Sequence, residues 1–147
     1  MRYRFGVRTV DGTIAAAAWE IRTAATPGRA RLMEIGFTLA AATASVIGLG
    51  RPAVIGNTPT AASTFDFLPE DPNDVIAANV LLSAVAWDVA GPTVPVNFLA
   101  RIGLPATIGA GVIWTFPDGI VIPVSSSLVL WNISAAGLLD VYAVVQI

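Results

Sequence analysis

Apolar and polar side chains alternate at the amino terminus. Tyr3, Phe5 and Val7 share one face of an extended segment, and three arginines share the other: Arg2, Arg4 and Arg8. A period of two residues is typical of a half-buried β-strand, and the turn residues Asp11-Gly12 end this one. The pattern predicts an amino-terminal strand whose arginine face is suited to water or to an acidic docking surface.

The next two alternating segments predict a β-hairpin. Residues 14–24 and 31–39 flank the turn signal Thr26-Pro27-Gly28. A pairing centred near Gly28 matches apolar with apolar residues and opposite charges with each other. It sets the following residues opposite one another: Ile21 with Ile35, and Arg22 with Glu34.

The middle of the chain is less regular. Residues 44–60 contain three glycines and two prolines and predict a surface loop. An acidic turn region leads into residues 75–89, which fit two structures. A helix capped by Asp74 is one of them, and a strand is the other. The alternation from Leu81 to Val89 favours the strand.

Two further hairpins are predicted near the carboxyl terminus. Each has turn residues between two apolar, alternating segments. The first joins Val112–Phe116 to Ile120–Val124 through Pro117-Asp118-Gly119, and the second joins Leu128–Ile133 to Leu138–Ile147 around Ala135-Ala136-Gly137.

Both faces of these carboxyl-terminal strands are apolar. Residues 111–147 hold two charged side chains, Asp118 and Asp140, whereas about a quarter of the residues in a soluble chain are charged. A β-sandwich normally exposes one face of each sheet to water. The strands from Val112 to Ile147 are therefore predicted to form an apolar subunit interface, with a neighbouring copy covering their second face.

The number and spacing of these segments predict an all-β fold. About eight to ten short strands separated by turn residues indicate an antiparallel β-sandwich, jelly-roll-like in its strand order. A chain of 147 residues buries about 68–70% of its unfolded surface, which is enough for one core. We therefore predict a single domain over residues 1–147, with residues 1–10 as an attachment strand or arm.

Composition argues against several classes of function. The chain has no Cys and no His, which removes thiol chemistry, Cys-based zinc sites and the commonest general base near neutral pH. The net charge is −2, whereas a protein that coats nucleic acid carries a basic excess. No direct contact with nucleic acid is predicted.

Neither a membrane span nor a secretion signal is predicted. The uncharged residues 119–139 are long enough to cross a bilayer as a helix. However, Pro123, the polar residues within the segment and its content of Val and Ile favour strands. The residues after Met1 form no continuous apolar h-region.

Two groups of carboxylates are candidate sites. Glu20 and Glu34 have the residue types of a glycoside-hydrolysing pair, but Arg22 beside them would keep both ionised and leave no proton donor, so a solvated charge ladder is favoured. Another group suits a hard cation such as Ca²⁺: Asp66, Glu70, Asp71 and Asp74. That group lacks the spacing of an EF-hand loop and contains two prolines, so a solvated turn is favoured and a bound ion is the alternative.

Three other patterns are interpreted as structural. Ser125-Ser126-Ser127 has no His or Lys in the chain to activate a nucleophile and is predicted to form a bend. Gly48-Leu49-Gly50 and Gly109-Ala110-Gly111 lack the ending of a phosphate-binding loop and are predicted to be turns. Trp114 and Trp131 lie within apolar alternation and are predicted to be core or interface residues, not a sugar-stacking platform. The sequence thus predicts no catalytic, cofactor-binding or metal-binding residue, and no enzyme.

Four segments resemble a known group of proteins. They read "RLMEIGFTLAAATASVIGLGRPA", "PATIGAGVIWTFPDG", "SSSLVLWN" and "DVYAVVQI". Together they cover most of the chain from Arg31 onward and resemble small Ala-rich accessory virion proteins, of the decoration or cement type, from tailed bacteriophages. The resemblance implies a small jelly-roll subunit, often trimeric, that is made in the host cytoplasm and decorates the outer surface of a phage head.

Two functions follow as expectations. The first is a structural virion protein: a homo-oligomer, with a trimer favoured, that binds a major capsid protein or another shell protein through the arginine face of residues 1–10. The second is a carbohydrate- or receptor-binding head module, for which an exposed aromatic pair beside residues 48–60 is expected. Neither function requires a cofactor.

Overall fold

The protein is a sandwich of two large antiparallel β-sheets, which confirms the predicted all-β fold. The computed structural model describes residues 1–10, 13, 15–24, 29–75, 81–134 and 137–147. The strands within these residues are β1 (Arg2–Arg8), β2 (Ala16–Thr23), β3 (Ala30–Leu39), β4 (Ser45–Gly50), β5 (Asn57–Pro59), β6 (Thr64–Asp66), β7 (Leu68–Pro69), β8 (Leu81–Ala84), β9 (Trp87–Ala90), β10 (Ala100–Leu104), β11 (Gly111–Ile122), β12 (Ser127–Ser134) and β13 (Leu139–Gln146). One turn of 3₁₀-helix, Ala61–Ser63, precedes β6.

Three sheets contain these strands. Sheet A has the order β11-β3-β13-β1-β7, sheet B has the order β10-β4-β12-β2-β8-β6, and the small sheet C pairs β5 with β9. The chain changes between the large sheets at every step from β1 to β4, and again at every step from β10 to β13. As a result, β13 lies between β3 and β1, and β12 lies between β4 and β2.

The inner faces of sheets A and B share one apolar core. The alternation in β1 directs Tyr3, Phe5 and Val7 into it, as predicted. Phe5 lies 6.1 Å from Trp19 and 5.6 Å from Phe67, measured between ring centroids. Fully burying an apolar side chain of this kind stabilises the fold by roughly 1.5–3 kcal/mol, so these inner faces hold the two sheets together.

A second, smaller apolar cluster lies on the outer face of sheet B. Val129 and Trp131 of β12 are fully buried there, and Trp87 and Phe98 pack against them. Residues 51–60 and 86–99, which include sheet C, supply this covering layer, here called the cover. The prediction that a neighbouring subunit covers the second face of β12 is therefore wrong, because the same chain covers it.

The first predicted hairpin is wrong. β2 lies in sheet B and pairs with β12 and β8, whereas β3 lies in sheet A and pairs with β11 and β13. Arg22 is opposite Ser127 and Leu82, not Glu34. Cross-strand matching of residue types does not determine which strand is the neighbour, and the pairs that form here place no opposite charge beside Arg22.

The two carboxyl-terminal hairpins are wrong for related reasons. Residues Gly111–Ile122 form one long strand, and both of its halves pair with β3. The register shifts between Thr115 and Ile120, and Gly119 has a φ of +68°. The predicted turn is thus a bulge, which also uses a residue that tolerates positive φ. β12 and β13 lie in different sheets.

Two predictions for the middle of the chain have different outcomes. Residues 75–89 contain the strands β8 and β9 where they are described, which confirms the preference for strand. The predicted loop 44–60 is wrong in its first part, because Ser45–Gly50 is a strand inside sheet B.

Some predictions fall outside the described residues. These are the turns Asp11-Gly12 and Thr26-Pro27-Gly28, and the Ala135-Ala136 part of the third turn. Within the described parts of the chain, no helix is long and apolar enough to cross a membrane.

Candidate functional site

The proposed carboxylate pair is not formed. Glu20 is on β2 of sheet B and Glu34 is on β3 of sheet A. Glu20 is fully buried beneath the cover, whereas Glu34 lies on the opposite side of the sandwich. The two carboxylates therefore cannot act on one glycosidic bond.

Glu20 instead attaches the cover to sheet B. Its Oε1 accepts a hydrogen bond from the backbone N–H of Gly56 at 3.1 Å, and its Oε2 accepts one from Trp87 Nε1 at 3.0 Å. Arg22 Nη1 lies 3.9 Å from Oε2. A buried carboxylate requires partners of this kind, so Glu20 has a structural role, and the predicted solvated charge ladder is wrong because Glu20 is buried and Glu34 is in the other sheet.

The arginine face of β1 is largely engaged within the chain. Arg4 Nε donates to Glu70 Oε1 at 2.5 Å, and Arg8 forms two hydrogen bonds with Asp140 at 2.7 and 2.8 Å. The hydrogen bond from Arg8 lowers the pKa of Asp140 below its ordinary value. The predicted common face of the three arginines is confirmed, but two of the three already have carboxylate partners.

The outer face of sheet A also carries an aromatic side chain in an unusual setting. The ring of Tyr142 occupies the space above Gly36, where a Cβ atom would lie 2.2 Å from its Cε1. The Tyr142 hydroxyl donates a hydrogen bond to Glu34 Oε1 at 2.7 Å. This bond raises the pKa of the tyrosine. Any side chain at position 36 would displace the ring.

A trench crosses this face of sheet A. It has a volume of about 740 Å³, which is within the range of small-molecule sites. It runs between two rows of residues that are neighbours across β1, β13, β3 and β11. One row is Gly6, Tyr142, Gly36 and Ile113, and the other is Arg8, Asp140, Thr38 and Gly111.

The trench continues beyond β1. A second depression of about 420 Å³ lies toward β7, and Leu68 and the Arg4–Glu70 pair line it. Gly6 and Tyr142 line both depressions. From here on, the trench means both depressions together. It therefore spans all strands of sheet A.

The acidic turn does not gather its carboxylates. Glu70 pairs with Arg4, and Asp71 Oδ1 accepts hydrogen bonds from the backbone and side-chain amides of Asn73. Among the described residues, no group of three or more His, Cys, Asp or Glu side chains could hold a metal ion. The favoured interpretation as a turn is consistent with this arrangement.

The serine, glycine and tryptophan patterns have mixed outcomes. Residues 124–125 form a turn, with Ser125 at a φ of +50°, so the predicted bend is confirmed. Gly109 lies in a turn, but Gly48-Leu49-Gly50 belongs to β4, and that prediction is wrong.

The two tryptophans pack against apolar residues of the same chain, as predicted for core residues. Trp131 is buried, and Trp114 packs against Phe37 at 5.0 Å between ring centroids.

The outer surface of the cover exposes large apolar side chains beside polar ones such as Asn57, Thr58 and Asn97. Six large apolar side chains are exposed, from 37% for Ile55 to 95% for Val96. They form what we call the cover patch: Val54, Ile55, Val89, Val94, Val96 and Leu99. Thr93 joins the two segments, since its N–H donates to Val54 O at 2.9 Å and its carbonyl accepts from Ala53 N at 3.0 Å. Arg51 and Asp88 are the charged residues of the cover.

The aromatic residues beside residues 48–60 do not form the expected exposed pair. Trp87 and Phe98 are half-buried and pack inward against Trp131 and Val129. The carbohydrate-binding alternative therefore gains no support at that position.

Comparison of the chain with protein-family models, curated proteins and solved structures finds no match. The resemblance to accessory virion proteins therefore stays a prediction.

Sequence reasoning missed both the trench and the cover patch. The available sign of the trench was the glycines within alternating strands, Gly6, Gly36 and Gly111, since glycine in a strand often marks a close approach. The sign of the cover was the apolar outer face of β12, which we assigned to another subunit.

Proposed function

We propose that this protein is a non-enzymatic structural virion protein, a homo-oligomeric decoration or cement subunit on the outer surface of a tailed-phage head. A trimer is the favoured assembly, and a major capsid protein or another shell protein is the expected partner. The cover patch is the single observation that carries the proposal.

The cover patch has the character of a protein interface. Its exposed side chains are Val, Ile and Leu, and charged residues are few within the cover. Large exposed apolar patches on soluble proteins mark interaction sites, and the cores of homo-oligomer interfaces are depleted in charge. An obligate interface of this class buries roughly 2,000 Å² or more.

The strand order supports the jelly-roll part of the proposal. β1 to β4 and β10 to β13 each alternate between the two sheets, giving the interleaved orders β11-β3-β13-β1 and β10-β4-β12-β2. Eight strands in two sheets, formed by two Greek keys, are the hallmark of a jelly roll. The remaining short strands belong to the long connection between β4 and β10.

Attachment to a shell would use the arginine side of sheet A. Arg2 is exposed on the same face as Arg4 and Arg8 and forms no ion pair with any described carboxylate. Arginine at such a position can form a two-pronged contact with an acidic group of the shell. A deletion of residues 1–8 would not test this contact, because Tyr3 belongs to the core.

Sedimentation velocity tests the oligomer. We expect the wild-type chain to sediment as an oligomer at micromolar concentration, and Val96→Asp to weaken the association at least tenfold, because it places a charge in the apolar interface. Val124→Asp is the matched control, since Val124 is also exposed but lies outside the cover, and it should leave the mass unchanged. A wild-type protein that is monomeric at micromolar concentration would overturn the proposal.

A further inference from the structure

We infer that the trench on the outer face of sheet A is a binding site for a neutral, linear oligosaccharide. The trench and the cover patch lie on opposite sides of the sandwich. The inference therefore goes beyond the proposed oligomer and does not depend on it, and it gives a second role to the face of sheet A that also carries Arg2.

The shape of the trench fits an extended, unbranched ligand. It crosses the five strands of sheet A, and four spacings between neighbouring strands amount to about 19 Å. Gly6 and Gly111 contribute no side chains to its floor, so a chain molecule can lie close to the backbone.

The charges around the trench favour a neutral ligand. Arg8 is paired with Asp140 at one side, and Arg4 is paired with Glu70 at the end near β7. Each of these two guanidinium groups thus has a carboxylate beside it, so the ion pairs along the trench carry no net charge that would attract an anion or a cation. The paired groups still offer free lone pairs and N–H groups at their edges.

The floor and walls match the two kinds of surface on a sugar. Hydroxyl groups both donate and accept hydrogen bonds, and Thr38, Asp140 and the Arg4–Glu70 pair offer complementary groups. The C–H faces of a sugar ring are apolar and can cover the glycine floor and the half-buried ring of Tyr142. Tyr142 is held in place by its hydrogen bond to Glu34, so little side-chain freedom is lost on binding.

An extended peptide fits this lining less well. Its backbone N–H and C=O groups would need partners along the whole trench. β13 and β3 already use their backbone groups to pair with neighbours on both sides, and β1 does so at Tyr3 and Arg4. Over β13 and β3, a peptide could therefore reach only the few polar side chains at the rims.

Gly6 provides a substitution that fills the trench without strain. A Cβ at this position would lie 3.6 Å from Val141 O and 3.8 Å from Tyr142 Cβ, which is ordinary contact. Gly103 on β10 is the matched control, since a Cβ there has no atom within 4 Å and β10 belongs to sheet B. Gly6→Leu and Gly103→Leu thus make the same change on opposite sides of the sandwich.

Isothermal titration with four neutral hexasaccharides tests the inference: cellohexaose, maltohexaose, mannohexaose and N-acetylchitohexaose. We expect saturable binding of at least one, with a Kd of about 1 mM or tighter. Gly6→Leu should weaken that binding at least tenfold, whereas Gly103→Leu should leave it unchanged. Thermal unfolding of both variants verifies that they are folded.

Three outcomes would overturn the inference: saturation by none of the four sugars, equal binding by wild type and Gly6→Leu, or tighter binding of hexagalacturonate than of every neutral sugar. The last would show that charge, not the neutral lining, selects the ligand. None of these results changes the sedimentation of the protein, so failure of the trench and failure of the proposed oligomer are separate observations.

Discussion

The outer faces of the two sheets differ in how the chain treats them. On sheet A, the outer face carries arginines, carboxylates, glycines and one tyrosine, and it is open along the trench. On sheet B, the outer face carries Val129 and Trp131, and the cover encloses them completely. Both faces belong to one sandwich, yet one is open to water and the other is a second small core.

This difference shows that an apolar outer face does not by itself identify a subunit interface. A long connection between two strands can cover such a face, and here residues 51–60 and 86–99 do so. On this side of the sandwich, the exposed large apolar residues are therefore those of the cover patch, which lies on the cover and not on the strands of sheet B. Three changes would test how distinct the two faces are, beginning with the largest expected effect.

Truncation of the tryptophan under the cover should have the largest effect. We expect Trp131→Ala to lower the free energy of unfolding by about 3–5 kcal/mol, because the side chain is fully buried. Trp19→Ala in the main core is the matched comparison, since Trp19 is equally buried and the indole N–H groups of both residues have no partner among the described residues. Denaturant unfolding measures both values.

The relation between the two values is informative. Similar costs would establish that the cover packs as tightly as the main core. A cost for Trp131→Ala within about 0.5 kcal/mol, which is typical of surface positions, would contradict the description of a second core.

Removal of the buried carboxylate should have an intermediate effect. We expect Glu20→Ala to cost about 1–3 kcal/mol, because the N–H groups of Gly56 and Trp87 would lose their acceptor in a buried site. Glu20→Gln should cost less, since its amide oxygen can still accept one of these bonds. Hydrogen exchange at the Gly56 amide should accelerate in Glu20→Ala before the core amides do.

Glu34→Ala is the control on the open face. Water can replace Glu34 as the acceptor for the Tyr142 hydroxyl. Glu34→Ala should therefore lower the free energy of unfolding by less than about 1 kcal/mol. Equal costs for the two alanine variants would mean that Glu20 does not attach the cover to the sheet.

The ion pair beside the trench should have the smallest effect, and it should depend on pH. The folded-state pKa of Asp140 is lowered by Arg8, so its contribution to stability is present above the unfolded pKa of about 3.9. That contribution is lost as the pH falls through the lower, folded pKa. We expect Asp140→Asn to lower the Tm by about 1–2 °C at pH 7, and by less at acidic pH.

Asp118→Asn controls for the loss of one negative charge, since Asp118 is also exposed. A deficit of Asp140→Asn that grows as the pH falls would contradict the sign of the predicted dependence.

Strands with clear alternation could be predicted from the sequence, whereas β4 and the partners of all the long strands could not. Alternation in β1 and in the carboxyl-terminal segments is a local property that each strand satisfies by itself. Pairing is not local: β2 and β3 are adjacent in the chain, yet they belong to different sheets. A turn signal such as Pro117-Asp118-Gly119 marks a backbone irregularity, and both a hairpin and a bulge satisfy it.

Glycine was the least informative residue for the fold. Gly48 and Gly50 were assigned to a loop because glycine is common in loops. In the structure they lie in β4, where a Cβ would meet Phe98 at 2.8 and 3.2 Å, respectively. The close packing of the cover against β4 explains why both positions are glycine. No local sequence pattern indicates this packing.

The trench, which is the candidate site, could not be predicted from the sequence either. Tyr142 and Glu34 are far apart in the sequence, and the row that joins Gly6, Tyr142 and Gly36 exists only once β13 lies between β1 and β3.

The position of the last two strands bears on how the molecule is made. β13 lies between β1 and β3 and joins them by pairing with both, and β12 has the same place between β4 and β2. During synthesis, both sheets thus stay incomplete until β12 and β13 have been made, and contacts so distant in sequence form slowly. A nascent chain arrested before β12 would have incomplete sheets. The apolar faces of its strands would then be exposed to chaperones.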